Sequence, residues 1–241
     1  MDEPAVRPAW YAVAAGPGRD WISVLHPPYT AWHLGYVLVG AGLAANLSVE
    51  RLLATLLAFA LAVGVAAHGL DELHGRPLGT TIPSRTLATV SGAALAGAIV
   101  LGVVGIDRVG WGLVIFIAVG AALVLAYNLE LAGGRLHNDA TFALAWGSFP
   151  VLTAYYAQAR TMSAAAVLAA VYAFGLSRAQ RHLSSEAREV RRRVVGVAGQ
   201  KTYQDGSSTA ITRDTILRPI ERALVALSWS TCALGIALIV R

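Results

Sequence analysis

The sequence predicts an all-α protein, built as a polytopic transmembrane helical bundle of about seven spans. Hydrophobic residues make up 56% of the chain and charged residues only 14%, whereas a soluble globular domain carries about 25% charged residues. Seven apolar runs also approach the roughly 20 residues that a helix needs to cross a bilayer. These runs cover residues 30–47, 51–68, 87–106, 109–128, 139–158, 162–178 and 220–240.

The whole chain, residues 1–241, is predicted to form a single integral membrane domain. Residues 1–28 contain acidic residues and prolines and no long apolar core, so they do not resemble a signal peptide. They are expected to be a cytoplasmic tail. Ser48 is a suitable N-cap for the second helix. Small residues within the runs favour close helix packing in lipid; they include Gly40, Gly42, Gly92, Gly97 and Gly120.

The distribution of lysine and arginine predicts the orientation of the bundle. With seven spans, the N-terminal tail shares a side with segments 69–86, 129–138 and 179–219, and that side holds 15 of the 19 basic residues. The positive-inside rule then places the N-terminus in the cytoplasm. The expected location is a bacterial- or archaeal-type cell membrane. The basic residues that fix this orientation also explain the pI of 9.7. We therefore expect the lipid bilayer as a partner and no nucleic acid.

The one long hydrophilic stretch, residues 179–219, is predicted to be a basic cytoplasmic loop. Its first part, Arg181 to Arg193, can form a charged helix, and residues 199–208 are typical of a mobile loop. The arginines are explained either by contact with anionic lipid headgroups or by a dedicated phosphate site.

Three polar junctions interrupt the apolar chain, at residues 68–77, 127–139 and 178–186. Each lies at the end of a hydrophobic segment and carries histidine together with acidic side chains. Ionisable groups at such places are costly to desolvate, so they mark functional-site candidates. The predicted topology places all three junctions on the cytoplasmic side.

The spacing within the junctions indicates a metal site. His68, Asp71 and Glu72 share one helix face, and so do His182 and Glu186. Imidazole with carboxylate suits zinc, iron or manganese, and carboxylate alone suits magnesium. A divalent metal of open identity is therefore expected. Its candidate ligands are His68, Asp71, Glu72, His137, His182 and Glu186.

Plainer roles explain several of the same residues. Asp71 and Glu72 are also placed to form a local ion pair with Arg76, and Asn138 or Asp139 to cap the fifth helix. His182 and Glu186 fit a solvated helix equally well. His26 and His33 are weaker candidates, and the spacing leaves open whether His74 and Glu130 belong to the site.

Several motifs carry a resemblance to a known family. Arg76-Pro77-Leu78 and Ile82-Pro83-Ser84-Arg85 form a turn after the first junction, Tyr127-Asn128 precedes the apolar stretch Ala145 to Leu152, and Arg178 to Glu186 follows the sixth helix. In order and position, over residues 20–190, they resemble the UbiA superfamily of intramembrane prenyltransferases. That family usually has nine helices and holds magnesium ions with aspartates. Here His68, His182 and Glu186 stand at such positions, which moves the preference toward transition metals.

The resemblance implies a UbiA-like transferase. It would act on an isoprenoid or lipid-like substrate by metal-dependent prenyl-transfer-type chemistry, in a membrane cavity capped on the cytoplasmic side. The catalytic candidates are Asp71, Glu72 and Tyr127. The substrate-binding candidates are Arg76, Arg178, Arg181 and Asn128.

Two other functions fit the same residues. The first is a membrane oxidoreductase with one or two non-haem iron ions, held by the candidate metal ligands together with Glu130. The second is a non-catalytic membrane assembly subunit, in which the junctions are only ion pairs and caps. Magnesium dependence favours the transferase, tightly bound iron favours the oxidoreductase, and the absence of stoichiometric metal favours the assembly subunit.

Overall fold

A computed structural model describes residues 7–13, 16 and 18–241, and these residues are mostly helical. The helices of the N-terminal half are α1 (Arg19–Val24), α2 (Pro27–Gly42), α3 (Val49–Phe59), α4 (His68–Leu73), α5 (Ser84–Val109) and α6 (Leu113–Asn128). Those of the C-terminal half are α7 (Asp139–Ala143), α8 (Phe149–Ala159), α9 (Ala164–Arg192) and α10 (Arg213–Val240). Two π-helical segments, Ala60–Ala67 and Leu144–Ser148, join α3 to α4 and α7 to α8.

Three of the helical stretches are long and apolar enough to cross a membrane. They are Val49–Leu73, Ser84–Val109 and Arg213–Val240, and α6 is a shorter apolar helix. Each of the seven apolar runs of the sequence contains a helix in the structure, although the first run is helical only as far as Gly42. Helix length and hydropathy thus identify three spans, and a bundle of seven stays a prediction.

Helix α2 lies at the centre of the bundle, between α8 and α10. A Cβ at Gly40 would overlap the backbone of Val151, and one at Gly42 would lie 2.6 Å from Cβ of Leu238. Only glycine allows the backbones to approach so closely, as in many membrane helix pairs. The packing role expected of Gly40 and Gly42 is confirmed, whereas Gly92 faces open space.

Helix starts follow the capping residues in the sequence. The Ser48 side chain accepts a hydrogen bond from the Arg51 amide, which confirms its N-cap role. Asn138, rather than Asp139, caps α7 by accepting from the amides of Ala140 and Thr141. These side chains satisfy backbone N–H groups that have no partner within the helix.

The stretch 179–219 is not one loop. Helix α9 continues from the sixth apolar run to Arg192, which confirms the charged helix, and α10 already begins at Arg213. Between them β1 (Gln200–Thr202) pairs antiparallel with β2 (Ser208–Ala210). The loop predicted for residues 199–208 is therefore wrong at residues 200–202 and 208, which are strand, and right for residues 203–207 between the two strands. Its turn contains Asp-Gly at residues 205–206, with Gly206 at φ 82°, and this dipeptide favours a tight hairpin.

The predicted tail, residues 1–28, includes helical residues. It contains α1 and the first two residues of α2, and the carbonyls of residues 7 and 8 accept hydrogen bonds from Arg191 and Arg192 in α9. Residues 1–6, 14, 15 and 17 of this tail lie outside the described residues.

Candidate functional site

The three junctions meet around one cavity of about 250 Å³, here called the polar cavity. It lies where α4 and α6 end, α2 begins and the second half of α9 passes. The first junction contributes His68, Asp71 and Pro77, the second Tyr127, Asn128 and His137, and the third Gln180 and Arg181. Residues that are distant in the sequence thus line a single cavity, as expected for a ligand site.

One wall of the polar cavity is basic. It consists of the face of α9 that carries Arg181, Arg188, Arg191 and Arg192. Asp71 and Glu221 are the two carboxylates among the described residues that line the cavity. Guanidinium groups bind carboxylates and phosphates through paired N–H donors, so this wall favours an anionic ligand.

The arginines of this wall differ in their partners. Arg191 donates two hydrogen bonds to the Glu221 carboxylate, at 2.6 and 2.9 Å. Arg181 lies 3.2 Å from an oxygen of Asp139. Arg188 donates only to the Ser185 hydroxyl, at 3.1 Å, and has no carboxylate partner in the part of the chain that is described. Burial, and then the neighbouring Arg181, lower the pKa of Arg188. An anion beside Arg188 would relieve both effects.

A segment near the N-terminus covers the polar cavity. Trp10 and Tyr11 line it, and the Tyr11 ring packs 5.1 Å from the His26 ring. Arg191 and Arg192 donate to the backbone carbonyls of residues 7 and 8 at 3.3 and 3.1 Å. Burial raises the pKa of Tyr11, so its hydroxyl stays protonated and available as a donor.

Three histidines of the N-terminal half also line the polar cavity: His26, His33 and His68. The rings of His26 and His68 stack with their centres 4.2 Å apart, and His33 donates from Nδ1 to the Trp146 carbonyl at 2.9 Å. Burial, and then His68, hold the pKa of His26 well below its usual range, so His26 is neutral. His26 and His33, the weaker candidates of the sequence, thus line the cavity. The sequence signal for these two histidines is their spacing of seven residues, or two helical turns, at the start of α2, next to aromatic residues.

Two buried polar atoms in the cavity wall lack a protein partner. The Tyr127 hydroxyl and Oε1 of Gln180 make no hydrogen bond within the described residues. Both side chains are almost fully buried, at 4% and 2% exposure. Buried polar atoms are normally hydrogen-bonded, so a ligand or water in the cavity is the expected partner.

The structure brings together half of the predicted metal ligands. His68, Asp71 and His137 line the polar cavity, with His137 stacked on Tyr127 at 4.4 Å. His182 and Glu186 instead lie on the exposed side of α9. The helical repeat turns them away from Arg181, Ser184 and Arg188, which face the cavity.

Glu72 is an anchor for the loop that follows α4, although the sequence predicted a catalytic and metal-binding role. Its carboxylate accepts from the amides of Leu78 and Thr80 and from the Thr80 hydroxyl, at 2.8 to 2.9 Å. It is 1% exposed and does not line the polar cavity. These three donors occupy both carboxylate oxygens.

Of the remaining predicted site residues, some line the polar cavity and others do not. Arg76 donates to the carbonyls of residues 80 and 82 and to the Ser84 hydroxyl, so it binds its own loop and not Asp71 or Glu72. Asn128 lines the cavity but donates to the Val124 carbonyl. Arg178 lies outside the cavity lining. Glu130 lies 3.7 Å from His74 and 3.9 Å from His137, at a largely exposed position.

The divalent metal expected from the sequence stays a prediction. Within the described residues, no group of three or more His, Cys, Asp or Glu side chains is arranged to hold a metal ion. Asp71 is the one predicted carboxylate ligand that lines the polar cavity, and it faces a basic wall. A divalent cation would be repelled by that wall.

No family model, no curated protein and no solved structure matches this chain. The resemblance to the UbiA superfamily thus remains an expectation that comes from the order of the motifs.

Proposed function

We propose that this chain is a UbiA-like integral membrane enzyme that holds the anionic head of an isoprenoid or lipid-like substrate in the polar cavity. The observation that carries the proposal is the basic wall of α9. It lines a cavity to which all three polar junctions contribute. A phosphate or diphosphate fits this wall because planar guanidinium groups donate to its oxygens in pairs.

The position of the cavity supports a substrate that comes from the bilayer. The polar cavity lies at the end of the apolar stretch Val49–Leu73. A molecule with a charged head and an apolar tail can therefore reach it without moving its tail into water. Arg188 is the most favourable contact, because it has no carboxylate partner among the described residues.

The lining residues suit prenyl-transfer-type chemistry. When the bond between the prenyl carbon and the diphosphate oxygen breaks, negative charge develops on the departing diphosphate. Arg181 and Arg188 would stabilise that charge. The Tyr127 hydroxyl, which lacks a partner within the described residues, can donate to the same oxygens. Asp71 is the carboxylate placed to take the proton that the attacking acceptor loses.

Titration of the purified protein with inorganic pyrophosphate in the presence of EDTA tests the proposal. We expect binding by the unmodified protein, and a loss of affinity on the order of tenfold to a hundredfold in Arg188→Gln, because hydrogen bonds to charged groups contribute about 1.5–3 kcal/mol. The control is Arg222→Gln on α10, an exposed arginine outside the cavity, which should bind normally. Equal affinity in both variants, or binding that requires added metal, would contradict the proposal.

A further inference from the structure

Residues 7–13, here called the N-terminal strap, lie over the polar cavity. Trp10 and Tyr11 line the cavity from this strap. Ala9 and Ala12 anchor it in an apolar cluster beside the loop after α4, and the strap itself is neither helix nor strand. Alanine removes little apolar surface from water, so this anchorage is weaker than one made by larger apolar side chains.

Two arginines of the basic wall hold the first residues of the strap. Arg191 donates from Nη1 to the carbonyl of residue 7 at 3.3 Å, and its other donors bind the Glu221 carboxylate. Arg192 donates from Nε to the carbonyl of residue 8 at 3.1 Å, and its side chain makes no other hydrogen bond within the described residues. A guanidinium has five N–H donors. Arg192 can therefore hold the strap through Nε and an anion through its Nη groups at the same time.

The strap also brings an unpaired donor to the polar cavity. Nε1 of Trp10 is buried and makes no hydrogen bond of ordinary geometry within the described residues. Buried N–H groups are normally paired, and the indole nitrogen can only donate. The expected partner is therefore an acceptor inside the cavity, such as an oxygen of an anion.

We infer that the N-terminal strap opens to admit the anionic ligand to the polar cavity and closes over it. Trp10 is then a contact that the ligand gains on closure, and Arg192 links the ligand to the strap. This inference rests on the proposed function and adds how the head site opens and closes. Closure removes water from the cavity, which strengthens the charge interactions inside it.

The contacts of the basic wall favour closure over the ligand rather than displacement of the strap by the ligand. Arg188 donates to Ser185 and makes no hydrogen bond to the strap, and Arg181 contacts Asp139. The cavity has its volume of about 250 Å³ with the strap in place. An anion can thus bind beneath the closed strap, so binding and closure are expected to favour each other.

Hydrogen–deuterium exchange of the strap amides tests the inference. The full-length protein is exchanged with and without saturating inorganic pyrophosphate, in EDTA, and binding is measured in parallel by titration. We expect exchange in peptides that cover residues 7–13 to slow about tenfold when pyrophosphate binds. The exposed hairpin of β1 and β2 is the internal reference, and its exchange should not change.

Two neighbouring arginines provide a matched pair of variants. Arg192 and Arg193 are both exposed at the end of α9, but only Arg192 lines the cavity and holds the strap. Arg192→Gln should still bind pyrophosphate through Arg188, with reduced affinity, and should lose the protection of the strap. Arg193→Gln should bind pyrophosphate and protect the strap like the unmodified protein.

The rates of binding test the role of Trp10. Trp10→Ala should release pyrophosphate faster by a factor on the order of ten, with an association rate constant that is unchanged or higher, because a cover slows escape from the cavity. Trp111→Ala is the control, since Trp111 is 81% exposed and lies outside the polar cavity. Stopped-flow measurements give both rate constants.

The outcomes separate the inference from the proposed function. Absence of pyrophosphate binding overturns the head site and the inference together. Binding with unchanged or faster exchange of the strap leaves the head site in place and overturns the inference. Equal protection in Arg192→Gln and Arg193→Gln, or an unchanged release rate in Trp10→Ala, overturns it as well. Protection that depends on Arg192, with faster release in Trp10→Ala, supports it.

Discussion

Two regions beside the polar cavity use ionisable side chains in different ways. The loop after α4, residues 74–83, is held by the side chains of Glu72, Asp20 and Arg76, which bind its backbone. The cavity-facing side of α9 instead lines the cavity with Arg181, which also contacts Asp139, and with Arg188, which has no carboxylate partner among the described residues. The loop thus forms a structural support and the helix forms a binding surface.

The difference arises from the backbone. A loop leaves its N–H and C=O groups without regular partners, and buried groups of this kind must be satisfied by side chains. A helix satisfies its own backbone, so its charged side chains remain free for ligands or solvent. Neighbouring acidic residues can therefore have unrelated roles, as Asp71 in the cavity wall and Glu72 beneath the loop show.

The largest effect should come from removing the Glu72 carboxylate. Glu72→Ala leaves the Leu78 and Thr80 amides without their acceptor, and hydrogen bonds to charged groups contribute about 1.5–3 kcal/mol each. We expect a loss of about 3 kcal/mol or more in the free energy of unfolding, measured by denaturant unfolding in detergent.

The control for this variant is Asp71→Asn. In the unmodified protein the Asp71 carboxylate accepts none of the hydrogen bonds found within the described residues. We therefore expect the free energy of unfolding to change by less than about 1 kcal/mol. Equal destabilisation by both variants would break the distinction between the supporting loop and the cavity wall.

A smaller loss of stability is expected when Asp20 is substituted. Its side chain lies in α1 and accepts hydrogen bonds from the same loop. Its Oδ2 accepts from the Thr81 amide at 2.8 Å and from the Thr81 hydroxyl at 2.7 Å. These bonds lower the pKa of Asp20. Asp20→Asn should lose about 2 kcal/mol of stability at neutral pH.

The pH dependence of stability in acid tests whether the Asp20 carboxylate causes this loss. A depressed pKa in the folded state stabilises the protein above the unfolded value, about 3.9 for aspartate, and this contribution disappears as the pH falls through the folded value. The difference between the unmodified protein and Asp20→Asn should therefore shrink below about pH 4. A difference that is constant across that range would exclude the carboxylate as its source.

The smallest effect is expected on the exposed face of α9. His182→Ala and Glu186→Gln change residues that face away from the polar cavity. Each should alter stability by less than about 0.5 kcal/mol and leave pyrophosphate affinity unchanged, in contrast to Arg188→Gln. A marked loss of binding in either variant would show that the face of α9 has been assigned wrongly.

Local features of the chain were readable from the sequence. The apolar runs became helices, Ser48 and Asn138 became caps, and the three junctions were identified by their polarity alone. The hairpin between β1 and β2 was missed, although its Asp-Gly turn was visible. The partner of Glu72 was not readable, because it depends on how the following loop folds back over α4.

The amino-acid order by itself determined which segments are apolar, where helices begin and where ionisable residues gather, because these depend on neighbours within a few positions. Only the tertiary structure decided which junction residues share the polar cavity and that α9 turns its arginines inward. Such relations depend on the rotation of each helix and on contacts between residues far apart in the chain. Many packings satisfy the same hydrophobic pattern, and close contacts such as that of Gly40 with Val151 select one of them.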